Sequence, residues 1–324
     1  MSSLIKLGVI GYRNHAAKLI SIIEKQAIGK IKFIYHPNKS KNDERFTNNF
    51  SDLYDCEAVI IASPNHTHFG YMDKLLKNFA GYIFCEKPPV TNLQDLEKLA
   101  NLELKDKTRL FFNFMLRFGK INSILERYLN SKEMGKTIRI DIVASKGFAF
   151  KKEYVGSWRA DGKKNLHNIL DANSIHYLDL INLHLGKIDE SFSFPSLISQ
   201  HGSSYDTFSL VFKYDDGVIL SIFNSYATPL INEVSIIGTN GFLTIRDEHI
   251  TIYSPRDTFN SNGYFVKPSV CYNAPLSFEG DVEYSLKRSM EYFLTHVKEK
   301  KSFDFNYFNI SMATNQLILK LKNS

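Results

Sequence analysis

Leu4-Ile5-Lys6-Leu7-Gly8-Val9-Ile10-Gly11-Tyr12-Arg13-Asn14-His15-Ala16 reads as a short apolar strand, Leu4 to Ile10, that runs through a glycine turn into a helix. A dinucleotide fingerprint at such a junction has glycine, any residue, glycine, two of any, then glycine or alanine. Gly11 and Ala16 stand at the first and third of these positions, and Arg13 stands at the second. Glycine there normally lets the backbone approach a pyrophosphate. The helix N-terminus still offers free amides and a positive dipole end, and the Arg13 guanidinium can itself pair with a phosphate. Gly11, Arg13, Asn14 and His15 are therefore the candidate pyrophosphate-binding residues.

Working outward, the first 120 residues alternate strand and helix. Ala16 to Lys25 carries a helical apolar stripe of Leu19, Ile20, Ile22 and Ile23. Strands are expected at Lys32 to Tyr35, at Tyr82 to Phe84 and at Arg109 to Asn113. Ala58 to Ala62 is a continuous apolar run of the kind found in buried parallel sheets. Helices are expected at Phe69 to Lys77 and at Leu93 to Ala100, the latter capped by Asn92. This rhythm indicates an α/β domain with a doubly wound parallel sheet.

After a helix at about 120 to 132 the pattern changes. Thr137 to Ala144 alternates like an antiparallel strand, and Asn165 to Leu185 carries a helical stripe ending near Gly186. Strand-like runs follow at Thr207 to Tyr214, Val218 to Ser225, Asn232 to Ile237, Phe242 to Asp247 and Ile250 to Tyr253. Asp216-Gly217 and Asn240-Gly241 between such runs are hairpin signals. Two helices, about 282 to 299 and 308 to 322, close the chain. The expected division is 1–120 for the nucleotide-binding domain and 121–324 for an α+β domain with a large, mainly antiparallel sheet.

The second strand ends Tyr35-His36-Pro37-Asn38-Lys39, without the acid that usually meets the adenosine ribose. His36 at that place, with Lys39 and Lys41 following, suits a 2′-phosphate and favours NADP over NAD; the plain alternative is a surface loop. Ser63-Pro64-Asn65-His66-Thr67-His68 follows the third strand, where a loop lies along the cofactor. Asn65 or Thr67 can cap the next helix. Ser63, Pro64, Asn65 and His68 are candidates for contact with nicotinamide or ribose, with helix capping as the competing role. His66 and His68, two apart and without a Cys or carboxylate cluster, make no metal site.

Cys85-Glu86-Lys87-Pro88-Pro89 follows the strand Tyr82 to Phe84. Pro88 biases Lys87 away from helical geometry, and α/β sheets place their ligands at such strand ends. Glu86 and Lys87 complete the cofactor-facing set.

The chain has 324 residues, 44% hydrophobic and 23% charged, and a net charge of +6 from 40 basic and 34 acidic residues. The densest basic run, Lys298-Glu299-Lys300-Lys301, is interrupted by a glutamate and reads as a solvated helix end, not a nucleic-acid surface. Cys56, Cys85 and Cys271 form no CxxC pair and no even set, which points to a reducing, cytoplasmic compartment. No apolar run approaches the roughly 20 residues of a membrane span, and Met1 to Lys6 lacks the apolar core of a signal peptide.

Together these landmarks resemble the glucose–fructose oxidoreductase / inositol dehydrogenase / rhizopine catabolism family, Gfo/Idh/MocA. The resemblance rests on Gly8-Val9-Ile10-Gly11, Ser63 to His68, Glu86-Lys87-Pro88 and Asn113-Phe114-Met115-Leu116-Arg117-Phe118. It continues through Gly135-Lys136, Trp158-Arg159, His176-Tyr177-Leu178-Asp179-Leu180 and Ile237-Gly238-Thr239-Asn240-Gly241, in family order over nearly the whole chain. It implies a Rossmann domain followed by an open-sheet domain. It also implies nicotinamide-dependent hydride transfer at a sugar or polyol carbon, and dimers or tetramers through the sheet face. Carried over by position, Lys87 sits beside nicotinamide and reacting carbinol, His176 is the acid/base, and Asp179 supports it. The resemblance makes Arg117, Trp158, Arg159, Asp171 and Asn173, with His176, the candidate substrate contacts. Trp158 and Arg159 also have a plain reading, as packing and a surface ion pair.

The chain departs from the family in two further places. The glycine-rich run before the histidine reads Asn165-Leu166-His167-Asn168. The acid that often stands four residues before the histidine, one helical turn back, is replaced by Ala172. Asp171 is one residue further away and reaches the site only through an irregular helix start; Asn173 is the neighbouring polar alternative. A catalytically altered member that binds a sugar or a partner is the competing reading. The expected geometry brings Lys87 and His176 to one cleft.

Overall fold

Six strands form the first sheet of the computed structural model, which describes residues 4–38 and 43–322. They are β1 (Ile5–Ile10), β2 (Gly29–Tyr35), β3 (Phe46–Thr47), β4 (Ala58–Ile61), β5 (Tyr82–Cys85) and β6 (Leu110–Phe112). All pair in parallel, in the order β3-β2-β1-β4-β5-β6. This is the doubly wound order whose ligands lie beyond the carboxyl ends of the strands, where the order reverses beside β1. Lys39 and Lys41 lie outside the described residues.

The helices of this unit follow from the apolar stripe. Helix α1 (Asn14–Gln26) buries Leu19, Ile20, Ile22 and Ile23. Helix α2 spans His68–Asn78 and α3 spans Leu93–Ala100. As expected, Asn92 caps α3, its side chain accepting from Asp95 N at 2.8 Å. Thr67 precedes α2 without a side-chain cap; its hydroxyl instead donates to the Pro64 carbonyl at 2.7 Å.

The second sheet has eight strands. They are β7 (Thr137–Ser145), β8 (Ile188–Ser196), β9 (Thr207–Tyr214), β10 (Ile219–Ser225), β11 (Ile231–Gly238), β12 (Phe242–Arg246), β13 (His249–Tyr253) and β14 (Val270–Pro275). Their order is β14-β13-β12-β11-β7-β10-β9-β8, antiparallel except for the β7–β10 pair. Gly217, at φ +88°, turns the β9–β10 hairpin. One face is buried through Ile140, Ile142, Leu210, Phe212, Ile222, Val234 and Ile236. Alternation of side chains puts Phe192, Phe194 and Ile237 on the other face, exposed.

The two edge strands, β8 and β14, are not anticipated by the sequence reading. Both are mostly exposed, and Pro195 in β8 is tolerated because an edge strand need not donate along its outer side. The stripe expected from Asn165 to Leu185 is not one helix. A short turn at Gly162–Asn165 and a π-helical turn at Leu170–Ser174 precede an α-helix that begins only at Ile175.

By contacts the chain divides into two compact units, residues 1–118 with 285–320, and 119–284 with 321–324. Most of the closing helices, expected in the second domain, therefore group with the first unit. The reason is packing. Leu286, Met290, Phe293, Leu294 and Val297 join a buried cluster with Leu7, Val9, Ile60, Phe84 and Phe111. Each such side chain contributes about 1.5–3 kcal/mol on full burial. Among the described residues no helix is long and apolar enough to cross a membrane.

Candidate functional site

The glycine turn is shaped for close approach. Gly11 has φ +101°, and a Cβ there would lie 2.8 Å from the Ala62 carbonyl oxygen, at the end of the neighbouring strand β4. Arg13 sits at the N-cap of α1 with φ −96° and ψ −179°, an extended backbone that any residue adopts. No side chain caps this helix, and no acid stands in its first turn. The first amides are thus left to an anion at the positive end of a 13-residue helix. Arg13, Asn14 and His15 are exposed beside them. The donor set fits a pyrophosphate.

His15 and Glu86, 71 residues apart, meet at the carboxyl end of the sheet. His15 Nε2 lies 2.8 Å from Glu86 Oε1. Asn113 Nδ2 donates to the same oxygen at 2.7 Å, and Ser289 Oγ donates to Asn113 Oδ1 at 2.6 Å. Burial would push the Glu86 carboxyl up, but His15, Asn113 and Lys87 outweigh it and hold it down to about 2. The Glu86 charge in turn raises the pKa of His15, against partial burial. Lys87 follows on a half-buried loop whose Lys87–Pro88 peptide is cis.

His68 takes a different place from the one expected. It has no accessible surface. Its Nδ1 lies 2.8 Å from the Pro88 carbonyl oxygen and its Nε2 lies 2.9 Å from the Ser63 carbonyl oxygen. Burial dominates and lowers its pKa. The ring is sealed between the Ser63 and Pro88 loops, where a neutral imidazole donates to one of the two carbonyls. Ser63, Pro64 and Asn65 remain on the accessible part of that loop, with Ser63 Oγ 2.7 Å from Thr67 Oγ1. His36 is partly exposed at the end of β2, and its Nδ1 accepts from Asn38 N at 3.2 Å.

Arg117 is held within the first unit. It is 4% exposed, donating to the Tyr307 carbonyl at 3.0 Å and to Ser311 Oγ at 2.9 Å. Its guanidinium lies 5.2 Å from the Phe114 ring and 5.0 Å from the Tyr307 ring. These contacts bind it to the closing helix Phe305–Leu321.

In the second unit, His176 lies on the helix Ile175–Asn182, directly after the π-turn. Ile175 N donates to Leu170 O, a bond to the fifth residue back. Such a turn adds one residue to the repeat, so position 171 takes the place relative to 176 that a regular helix gives to 172. Asp171 is buried and ion-paired with Lys322, whose Nζ lies 2.6 Å from Oδ1 and 2.7 Å from Oδ2. Asn165 Nδ2 donates to Oδ2 at 3.1 Å. Asn173 Nδ2 donates to the Ala144 carbonyl at 3.4 Å, and Ser174 Oγ donates to Asn224 Oδ1, which fastens this turn to the ends of β7 and β10. Trp158 and Arg159 are half-buried, with the guanidinium 4.8 Å from the indole.

Asn113, Ser289 and Lys322 carry no role in the sequence reading. Asn113 opens a landmark run there; the other two have no local signal, being hydrogen-bonded to partners 176 and 151 residues away.

Two family models match the chain: an oxidoreductase family, NAD-binding Rossmann fold, over residues 5–114, and a GFO/IDH/MocA C-terminal domain over residues 124–244. Over 212 residues the chain is 28% identical to scyllo-inositol 2-dehydrogenase (NAD(+)) of Bacillus subtilis. That stretch is 62% of this chain and 59% of the relative, less than two thirds of its length. The fold is shared with an oxidoreductase from Thermotoga maritima, at a TM-score of 0.80 and 18% identity over 98% of this chain and 96% of that one. It is shared too with a myo-inositol dehydrogenase from Corynebacterium glutamicum, at 0.72 and 15% over 98% and 96%.

Proposed function

The chain belongs to the Gfo/Idh/MocA oxidoreductase family, and from that premise we propose that it moves a hydride between a nicotinamide dinucleotide and a carbinol carbon of a sugar, polyol or nucleotide-linked sugar. The observation that carries this reading is the placing of Lys87 at the carboxyl end of β5, next to the Glu86–His15 pair at the start of α1. The inositol dehydrogenase relative supports the polyol class.

Gly11, Arg13, Asn14 and His15 would hold the pyrophosphate, with Ser63, Pro64 and Asn65 along the nicotinamide side. When bound, the nicotinamide accepts or supplies the hydride. Lys87, as an ammonium, stabilises negative charge developing on the substrate oxygen. His176 takes or returns the hydroxyl proton, a task suited to an imidazole. Asp171 occupies the place of the missing acid at position 172, and Trp158 and Arg159 cover the substrate. NADP is preferred over NAD because His36, not an acid, follows the end of β2. The exposed sheet face that carries Phe192, Phe194 and Ile237 supports a homodimer or homotetramer, which light scattering reads directly.

The deciding experiment titrates the purified chain with NADH and NADPH by fluorescence, then offers a panel of inositols, aldoses and nucleotide sugars. Tighter NADPH binding with turnover of one substrate is expected. Absence of binding by either cofactor sinks the reading. Tight binding with no turnover favours the altered, sugar-binding alternative that Arg13 and Ala172 motivate.

A further inference from the structure

We propose that Lys322 is a positioning residue of this site, holding the Asp171 side chain oriented at the head of the π-turn that carries His176. The proposal rests on the reading above for its chemistry, but not for its geometry. Asp171 is 1% exposed, and a carboxylate at that depth is costly unless it is paired. Lys322 Nζ lies 2.6 and 2.7 Å from its two oxygens, and Asn165 donates to it as well. The Lys322 side chain is itself only 14% exposed. One of its N–H groups donates to Oδ2 while the ammonium also lies 2.6 Å from Oδ1, which fixes the rotation of Asp171.

The pair sits at an irregularity of the backbone. Leu170–Ser174 is π-helical, and Asp171 and His176 are five residues apart, the spacing that such a turn brings into line. His167 lies in the same field; burial, then Lys322, lower its pKa, against Asp171. A buried ion pair is no better for stability than apolar residues of the same volume. An ammonium brought to this carboxylate from 151 residues away is thus better explained by the use of its charge than by cohesion alone.

The test compares K322M, K322R, D171N and D171N/K322M in the full chain, with histidine labelled by 15N and the His176 signals assigned by their loss in H176Q. In K322M the His176 imidazole resonances are expected to move, and in K322R to stay near those of the native chain. With the substrate found in the panel, kcat of K322M is expected to fall about 10- to 100-fold, as for other outer partners of a site. The fluorescence Kd for NADPH stays unchanged, and K322R recovers most of the loss. D171N/K322M, without either charge, guards against a K322M chain that does not fold. It is expected to lose kcat as far as D171N alone does. A folded K322M, or a folded double variant, with native His176 resonances and native kcat overturns the proposal. If the native chain turns over nothing in the panel, the oxidoreductase reading has failed, and the His176 resonances still decide the role of Lys322.

Discussion

Glu86 Oε1 lies 2.8 Å from His15 Nε2 and 2.7 Å from Asn113 Nδ2, so one carboxylate joins the end of β5, the first turn of α1 and the end of β6. All three lie at the carboxyl end of the sheet, the side on which doubly wound sheets bind their ligands. The pair has a definite pH signature. The raised pKa of His15 gives stability that is complete below 6.5 and is lost as pH climbs through the higher folded value. The lowered pKa of Glu86 gives stability that is complete above 4.5 and is lost as pH falls toward about 2. Urea midpoints of the native chain, less those of H15N, should therefore be largest between about pH 4.5 and 6.5 and shrink on either side. Glu86→Gln should cost about 1.5–3 kcal/mol, the worth of hydrogen bonds to a charged group. A flat difference curve would show that the pair is not formed in solution.

Gly11→Ala tests the turn. The new Cβ would meet the Ala62 carbonyl at 2.8 Å, in a backbone conformation that L-residues rarely adopt. A loss of about 1–3 kcal/mol is expected from the strain, together with weaker binding of NADPH by fluorescence. Arg13→Gly, at an already extended position, should leave stability nearly unchanged. Equal unfolding midpoints for G11A and the native chain would contradict the turn geometry.

Lys87→Ala should lower kcat at least about a hundredfold while the cofactor still binds, as for other positioned proton and charge partners. His176→Ala should do the same. Near-normal turnover of either variant removes that residue from the proposed chemistry.

Arg117 and Arg159 should separate cleanly. Arg117 donates to Tyr307 and Ser311 inside the first unit, so Arg117→Met is expected to lower stability by about 2 kcal/mol, with KM of any remaining activity unchanged. Arg159, half-buried against Trp158, should do the reverse on replacement by alanine: a raised KM at a native unfolding midpoint. A raised KM in R117M would restore the arginine to the substrate site.

The alternation of strands and helices to residue 120, the turn at Gly11, the cap at Asn92 and the hairpins at Gly217 and Asn240-Gly241 were all legible in the residues, because each depends on spacing within about a dozen positions. The edge strands β8 and β14 were not, since both are mostly exposed and bury no continuous apolar face that would mark them out. What only the folded chain supplied is the partner of each polar group. Strand order and register bring His15 to Glu86, bury His68 between two carbonyls, and turn Arg117 toward the closing helix. The added residue of the π-turn moves position 171 into line with His176, and the far end of the chain gives Asp171 its counter-charge. Periodicity reports which face of an element is buried. It carries no record of which distant side chain will lie against it, because that follows from the packing of whole elements and from the cost of leaving a buried charge alone.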